Sequence, residues 1–128
     1  MGLTDALVDA CSAQGLLAKV GDRPADAGSM PFAVIWEYAP VRTAQTMDLG
    51  QRETTTLVCH CAGLTEQAAR IAEAKLSAAV YSLYRTTVDG RTVAYPEQLA
   101  SMPLIRDDDQ SPPLYDLAVE WRLRTTPA

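Results

Sequence analysis

Chemically reactive side chains are scarce in this sequence. The 128 residues include one histidine and three cysteines. No Gly-x-Ser-x-Gly turn, Walker-type loop or Gly-x-Gly-x-x-Gly fingerprint occurs, so nothing predicts a serine nucleophile or a phosphate cradle. Any Ser-His-Asp arrangement would have to use His60. We therefore predict that the protein is not an enzyme and that it holds no cofactor.

Lysine is also scarce, and its scarcity bears on nucleic acid. The chain has only Lys19 and Lys75, and its 11 Lys and Arg face 16 Asp and Glu, for a formal net charge of −5. Proteins that bind the phosphate backbone need clustered cationic side chains. Because the arginines are scattered and an acidic surface repels DNA, we expect no specific binding of DNA.

Long apolar runs are absent as well. No stretch of about 18 consecutive apolar residues occurs, so the sequence predicts no membrane span. The N-terminus lacks a basic region followed by an apolar stretch, so we expect no secretory signal, and the odd cysteine count fits reduced thiols in a cytoplasm. A length of 128 residues predicts a single domain, 1–128, that needs no metal or disulfide to fold.

The clearest pattern that is present is a strand followed by a long helix. Residues 54–62 are rich in β-branched side chains and contain neither Pro nor Gly, which predicts a strand. Gly63 ends it, and Thr65 stands where a helix N-cap is expected. From there to Tyr84, apolar residues recur at helical spacing and form a stripe that Ile71 widens. We predict that this helix packs on a sheet.

Three further segments indicate strands. Phe32 to Tyr38 is almost continuously apolar, which is typical of an inner strand or of one covered by a neighbouring subunit. Leu114 to Arg124 alternates strictly, with Trp121 on the predicted core face. Asp89-Gly90 between β-branched residues predicts a two-residue hairpin.

Together these elements predict an α+β fold. Its single sheet is mostly antiparallel, and one long and one short helix pack on one face of that sheet. The short helix is predicted at Asp5 to Gln14, with Thr4 as its N-cap. Residues 38–53 and 95–102 are predicted as loops, and residues 125–128 as a tail.

Two polar segments carry most of the residues that we regard as candidate contacts. The segment 38–53 is long for a connection in a small domain, and such connections are usually functional or disordered. An acidic segment follows a short predicted edge strand, Pro103 to Ile105, and lacks the carboxylate spacing of a calcium loop. With one aromatic residue of the apolar strand, the candidate subunit or partner contacts are Arg42, Arg52, Asp107, Asp108, Asp109 and Trp36.

The tripeptide Cys59-His60-Cys61 has the donor types of a zinc site. On a strand, however, successive side chains point to opposite faces, so His60 points away from both cysteines. The only other cysteine is Cys11, and there is no second histidine. We therefore predict ordinary core thiols and no metal site, and the same alternation argues against a Cys-His nucleophile pair.

The order of these elements, together with several local sequences, resembles one known family. The local sequences are Pro31 to Trp36, Gly63 to Ala69 at the start of the long helix, Pro103 to Asp108, Pro113 to Tyr115, and Arg122 to Thr126. Over roughly Pro31 to Thr125 the chain resembles the tail terminator proteins, also called tail completion or minor tail proteins, of long-tailed siphophages, especially those of actinobacterial hosts.

The resemblance implies a structural, non-enzymatic role and a fold related to that of the tail tube proteins. Members of the family form a ring, usually of six copies, on the tail tube when it reaches full length. The ring stops further addition of tube protein and presents a surface for head joining. The implied partners are further copies of the chain, the tail tube protein and the head-tail connector proteins, and DNA passes through the lumen. The implied location is the virion tail, assembled in the host cytoplasm.

Other functions are compatible with the same residues. A head-tail connector or a tail tube subunit is the nearest alternative, and a tube subunit differs by polymerising without limit. A small metal-dependent enzyme or binding module would use Cys59, His60 and the three consecutive aspartates from Asp107. The fourth hypothesis, after the tail terminator and these two alternatives, is an unrelated soluble binding domain.

Overall fold

Two helices and nine strands form within the residues that the structure, a computed structural model, describes: 2–24, 30–38, 41–44, 51–109 and 112–128. In chain order they are α1 (Leu3–Ala13), β1 (Leu17–Val20), β2 (Phe32–Glu37), β3 (Val41–Ala44), β4 (Gln51–Gly63), α2 (Glu66–Ser82), β5 (Thr87–Val88), β6 (Arg91–Val93), β7 (Glu97–Ser101), β8 (Ile105–Asp107) and β9 (Leu114–Pro127). Neither helix of this part of the chain is long and apolar enough to cross a membrane.

The sheet is built on its two longest strands, β4 and β9. They pair antiparallel along most of their length, from Glu53 opposite Thr125 to Gly63 opposite Tyr115. The strand order is β1-β2-β4-β9-β6-β5, with β3 also pairing with β4, and with β7 and β8 also pairing with β9. Among the described strands only the β1–β2 pair is parallel. The predicted α+β class with a mostly antiparallel sheet is confirmed.

Both helices lie on one face of this sheet, and the core fills the space between. Paired residues share a face, so Ile35, Cys59 and Val119 form one buried row across three strands. From α2, Leu76 and small alanines meet them, which lets the helix lie close to the sheet. The alternation predicted for β9 is confirmed: Leu117, Val119, Trp121 and Leu123 are buried, and their neighbours are not.

The helix α2 begins where the sequence predicts. Thr65 has extended backbone angles, and its Oγ1 accepts a hydrogen bond of 3.0 Å from the N–H of Ala68. Glu66 in the first turn adds a negative charge at the positive end of the helix dipole. Ile71, however, was predicted to widen the buried stripe and is 42% exposed, because the helix turns Ala69, Ala72 and Leu76 toward the sheet.

Replacing Thr65 with alanine is expected to lower the free energy of unfolding by about 1 kcal/mol, because the Ala68 N–H then loses its side-chain acceptor. Urea denaturation measures the change. Thr65→Ser keeps the accepting hydroxyl and is the matched control, with little expected loss. Equal destabilisation by both variants would contradict the assigned cap.

The start of α1 differs from the prediction. The helix begins at Leu3 with Gly2 as its N-cap, so Thr4 lies inside the helix and the predicted cap was wrong. The side chain of Asp5 explains the shift, because its Oδ2 accepts a hydrogen bond of 3.1 Å from the backbone N–H of Gly2. At the other end, Gly15 has a φ of 76°, which is the left-handed conformation expected of a glycine after a helix.

Two segments predicted as loop are partly strand. Residues 97–101 form β7, which pairs with β9 from Glu97 opposite Arg122 to Ser101 opposite Val119 and is irregular at Leu99. A short irregular edge strand has no clear alternation, so its local sequence did not reveal it. Within 38–53, residues 41–44 form β3 against β4, while residues 39–40 and 45–50 lie outside the described residues.

The structure also tests the predicted tail and the predicted hairpin. β9 continues to Pro127, so most of residues 125–128 is strand and not tail. Arg91 fixes this end, because its Nε donates a 2.9 Å hydrogen bond to Oγ1 of the buried Thr125. The Asp89-Gly90 hairpin is confirmed, with φ values of 52° and 73° at its two turn residues.

Candidate assembly surfaces

The tripeptide Cys59-His60-Cys61 is divided between the two faces of the sheet, as its alternation predicts. Cys59 and Cys61 are fully buried on the helix side, where Cys11 of α1 joins the same core cluster. Burial raises the pKa of the Cys11 and Cys59 thiols to about 12, and it raises the pKa of Cys61 well above its usual value. These thiols stay protonated at neutral pH and are poor nucleophiles.

His60 lies on the face that carries no helix. Its Nδ1 is 3.0 Å from Oδ2 of Asp116 on the neighbouring strand, in a partly buried setting. A groove of about 410 Å³ adjoins this pair, with Phe32 among the residues of its floor and Arg23 and Asp107 among the charged residues around it. The groove carries both signs of charge, so it indicates no single class of ligand.

The three consecutive aspartates form a turn at the end of β8. Oδ1 of Asp107 accepts a 3.0 Å hydrogen bond from the N–H of Asp109, and Oδ1 of Asp108 lies 2.7 Å from Nε of Arg106. The three carboxylates are thus not gathered around one point. Within the described part of the chain, no group of three or more His, Cys, Asp or Glu side chains is placed to hold a metal ion.

The two candidate arginines lie on the paired strands β3 and β4, in successive pairs of the ladder. Arg42 of β3 is opposite Glu53 of β4, and Arg52 is opposite Thr43. The side chain of Arg52 is exposed. Arg52 is the second residue of β4, whereas Asp107 pairs with Leu114 at the start of the antiparallel β9. The two sets of candidate contacts therefore lie at opposite ends of the central strand pair.

Trp36 is half-exposed on the helix-free face, near the end of β2. The neighbouring β1 ends with Val20, and Gly21 follows it, with its N–H donating a 2.8 Å hydrogen bond to the carbonyl of Ile35. Val20 pairs with the buried Ile35 and therefore lies on the helix side of the sheet. Tyr38, two residues after Trp36, lies on the same face as Trp36 and is also exposed. We call Trp36 and Tyr38 the β2 patch.

Two further exposed apolar residues, Met102 and Ile105, lie at the opposite edge of the sheet, beside β9. The N–H of Met102 donates a hydrogen bond to the carbonyl of Ala118, and Ile105 pairs with Asp116, so the two residues lie at neighbouring levels of β9. We call these two residues the β7–β8 patch. Met102 was not predicted as an edge residue, because residues 95–102 were interpreted as a loop. Ile105 was predicted at the end of a short edge strand, Pro103 to Ile105, but was not among the candidate contacts.

Tyr81, Tyr84 and Tyr95 form one cluster on the helix side of the sheet. The ring of Tyr95 lies 5.5 Å from that of Tyr81 and 5.2 Å from that of Tyr84, and Tyr81 meets the buried Trp121 edge to face at 5.3 Å. All three tyrosines are partly exposed. The cluster links the core to the surface at the C-terminal end of α2.

Comparison with known proteins identifies the fold but no family. No protein-family model matches the chain. No curated protein matches it either. Among solved structures, a chain in the one described as "Virion of native gene transfer agent (GTA) particle" has a TM-score of 0.63 at 12% sequence identity, and the match covers 98% of this chain and 95% of that chain. The likeness therefore extends over almost the whole fold.

Proposed function

We propose that this protein is a virion structural protein that forms a ring on the end of a phage tail tube, where it stops tube growth and presents the surface for head joining. The observation that carries the proposal is the likeness in fold to a virion chain over 98% of this chain. The resemblance to the tail terminators supports the proposal independently, because it rests on the order of elements and on local sequence.

A ring needs two different contact surfaces on each subunit, because one side of a subunit meets the opposite side of its neighbour. This chain offers two such surfaces, the β2 patch and the β7–β8 patch, each with exposed aromatic or other large apolar side chains. Exposed apolar groups of this kind are typical of surfaces that another protein covers. The role needs no catalytic residue and no cofactor.

The charge of the chain fits a lumen through which DNA moves. A formal net charge of −5 gives an acidic surface, which repels the phosphate backbone and prevents DNA from adhering during passage. The protein acts in the virion tail after assembly in the host cytoplasm. Its partners in this role are further copies of itself, the tail tube protein and the head-tail connector proteins.

The charged candidate contacts have a place in this proposal. Arg42 and Arg52 lie at one end of the central strands, and the Asp107 to Asp109 turn lies near the other. In a ring stacked between a tube and a connector, one end of each subunit faces the tube and the other faces the connector. We propose that these two charged regions contact those two partners, and that Trp36 contacts a neighbouring subunit.

The mass of the purified protein as a function of concentration tests ring formation. We expect the mass to rise to a plateau, six times the 13.8 kDa of one chain for a hexamer, and then to stay constant. A closed ring has no unsatisfied edge, so added protein cannot extend it. Growth without a plateau would contradict the proposal and indicate a tube subunit. A monomer at all concentrations that also leaves tube growth unchanged would contradict it too.

A further inference from the structure

We propose that Arg122 and Arg124, on the helix-free face of the sheet, bind carboxylate groups of a partner protein. The inference rests on the proposed function in one respect. It takes that partner to be the protein that faces the end of the central strands carrying Arg52, either the tail tube protein or a connector protein. It adds two residues of β9 that were not among the candidate contacts, and it states the chemistry of the partner surface.

The two arginines lie side by side on one exposed face. They alternate along β9 with the buried Trp121 and Leu123, so both guanidinium groups lie on the face that carries no helix. Both side chains are partly exposed, so a partner can reach them.

A single carboxylate orients both guanidinium groups. Nη1 of Arg122 lies 3.5 Å from Oε2 of Glu97, and Nη1 of Arg124 lies 3.6 Å from the same oxygen. Among the described residues, Glu97 is the one hydrogen-bond or ion-pair partner of either arginine side chain. A guanidinium has five N–H donors, so most donors of the pair are open to a second acceptor. Carboxylates match this donor geometry, because they accept two parallel hydrogen bonds from one guanidinium.

The surroundings of the two arginines are those of a protein contact. Thr56 pairs with Arg122 and Thr54 pairs with Arg124, which places two hydroxyl groups on the same face. The backbone N–H of Tyr38 donates a 3.0 Å hydrogen bond to the carbonyl of Thr56, so the β2 patch adjoins this row. Arginine, tyrosine and tryptophan are the residue types most enriched among those that dominate protein–protein binding. The surface combines all three.

Charge favours a partner protein over DNA as the source of the bound oxyanion. Arg52 lies on the same face, two residues before Thr54 on β4, and the described carboxylates of this region are those of Glu97 and Glu120. The local excess of positive charge is therefore small, and the whole chain carries −5. Binding to a phosphate backbone needs a larger cluster of cations, whereas a carboxylate needs only the open donors of the arginine pair.

A binding experiment with charge-neutralising variants tests the site. Arg122→Gln combined with Arg124→Gln is compared with the unmodified protein for binding to preformed tail tubes, to the connector protein of the same virion, and to a short DNA duplex. Arg70→Gln combined with Arg85→Gln is the matched control, because it removes the same charge from two exposed arginines elsewhere. Denaturant unfolding of every variant checks that the fold is retained.

We expect the variant at residues 122 and 124 to bind either the tubes or the connector protein about tenfold more weakly than the unmodified protein, because charge-assisted hydrogen bonds are lost. The matched control should bind both as the unmodified protein does. Unchanged binding to both partners would overturn the inference. Binding of DNA by the unmodified protein that is lost in this variant would also overturn it, and would indicate a phosphate site.

Glu97→Gln separates a binding site from a purely structural ion pair. If the arginines serve only to hold Glu97 and β7, neutralising Glu97 should weaken partner binding as much as neutralising the arginines. If they bind a partner carboxylate, Glu97→Gln removes a competing acceptor, and binding should be at least as tight as that of the unmodified protein. Equal weakening by Glu97→Gln would therefore contradict the site.

The failure of this inference is distinguishable from the failure of the proposed function. If the unmodified protein reaches a closed-ring mass and stops tube growth regardless of residues 122 and 124, the function stands and the site is wrong. If partner binding depends on the two arginines but the mass grows without a plateau, the site stands and the terminator role is wrong. Binding of the unmodified protein to neither partner would contradict both.

Discussion

Replacing Trp121 with alanine is expected to lower the free energy of unfolding by about 3 kcal/mol or more. The side chain is 0% exposed and is among the largest fully buried groups of the described chain. It pairs with Leu57 at the centre of the sheet and supports the ring of Tyr81 on α2. Alanine would leave a cavity between the sheet and the helix, and it would remove an aromatic contact as well.

Trp36→Ala is the matched control for this variant, because Trp36 is the other tryptophan and lies half-exposed on the opposite face. Denaturant unfolding of both variants should show a much larger loss for Trp121→Ala than for Trp36→Ala. A loss below about 1 kcal/mol at Trp121 would mean that the two faces of β9 are assigned the wrong way round.

Trp121→Phe adds a finer test of the same site. The indole Nε1 of Trp121 is buried without a hydrogen-bond partner among the described residues. A buried donor that bonds to nothing is destabilising, so part of the contribution of this side chain is offset. Phenylalanine keeps most of the apolar volume and removes that donor, and we expect it to cost clearly less than alanine.

Gly63→Ala is expected to destabilise the protein by about 3 kcal/mol, because α2 begins directly against this residue. A Cβ at position 63 would lie 2.5 Å from Cβ of Ala68, 2.9 Å from the carbonyl carbon of Ala68 and 3.0 Å from the N of Ala69. Two of these three atoms belong to the helix backbone, which cannot move without displacing the helix from the sheet. Thermal or denaturant unfolding measures the effect.

A double variant identifies the cause of that loss. Ala68→Gly removes the closest of the three atoms and by itself costs about 1 kcal/mol as a glycine within a helix. If the contact explains the loss, Gly63→Ala combined with Ala68→Gly should be less destabilised than the sum of the two single variants. Additive losses, or a Gly63→Ala variant as stable as the unmodified protein, would contradict the close approach.

Elements with strong local signals were predictable from the sequence. The Thr65 cap and the Asp89-Gly90 hairpin depend on residues close in sequence, and the alternation of β9 needs only one buried face. The sequence marked Gly63 as a break in the pattern. It did not reveal how closely α2 approaches Gly63, because that distance depends on the packing of the helix against the sheet.

Features that depend on distant pairing were not predictable. β7 exists because residues 97–101 align with β9, more than fifteen residues further along the chain, and its irregular register removes the alternation that would have signalled it. Missing β7 also meant missing Met102, the residue after it, as an edge residue. Arg42 and Asp107 were named together as candidate contacts, but only the sheet register places them at different ends of the central strands.

The sequence predicted less of the candidate assembly surfaces than of the fold. Strand alternation was enough to separate His60 from Cys59 and Cys61, and the structure confirms that separation. A surface for assembly has no such chemical signature, because it consists of exposed residues drawn from several elements. The exposed residues Trp36 and Met102, for example, belong to segments that are far apart in the sequence.

The lengths of tail tubes grown in the presence of this protein test whether it caps a tube. The tail tube protein of the same virion is polymerised with and without the purified chain, and tube lengths are measured by electron microscopy. We expect short tubes with a ring at one end and no further growth when more tube protein is added. Unchanged tube lengths with bare ends would contradict it, as would incorporation of this chain along the length of the tubes.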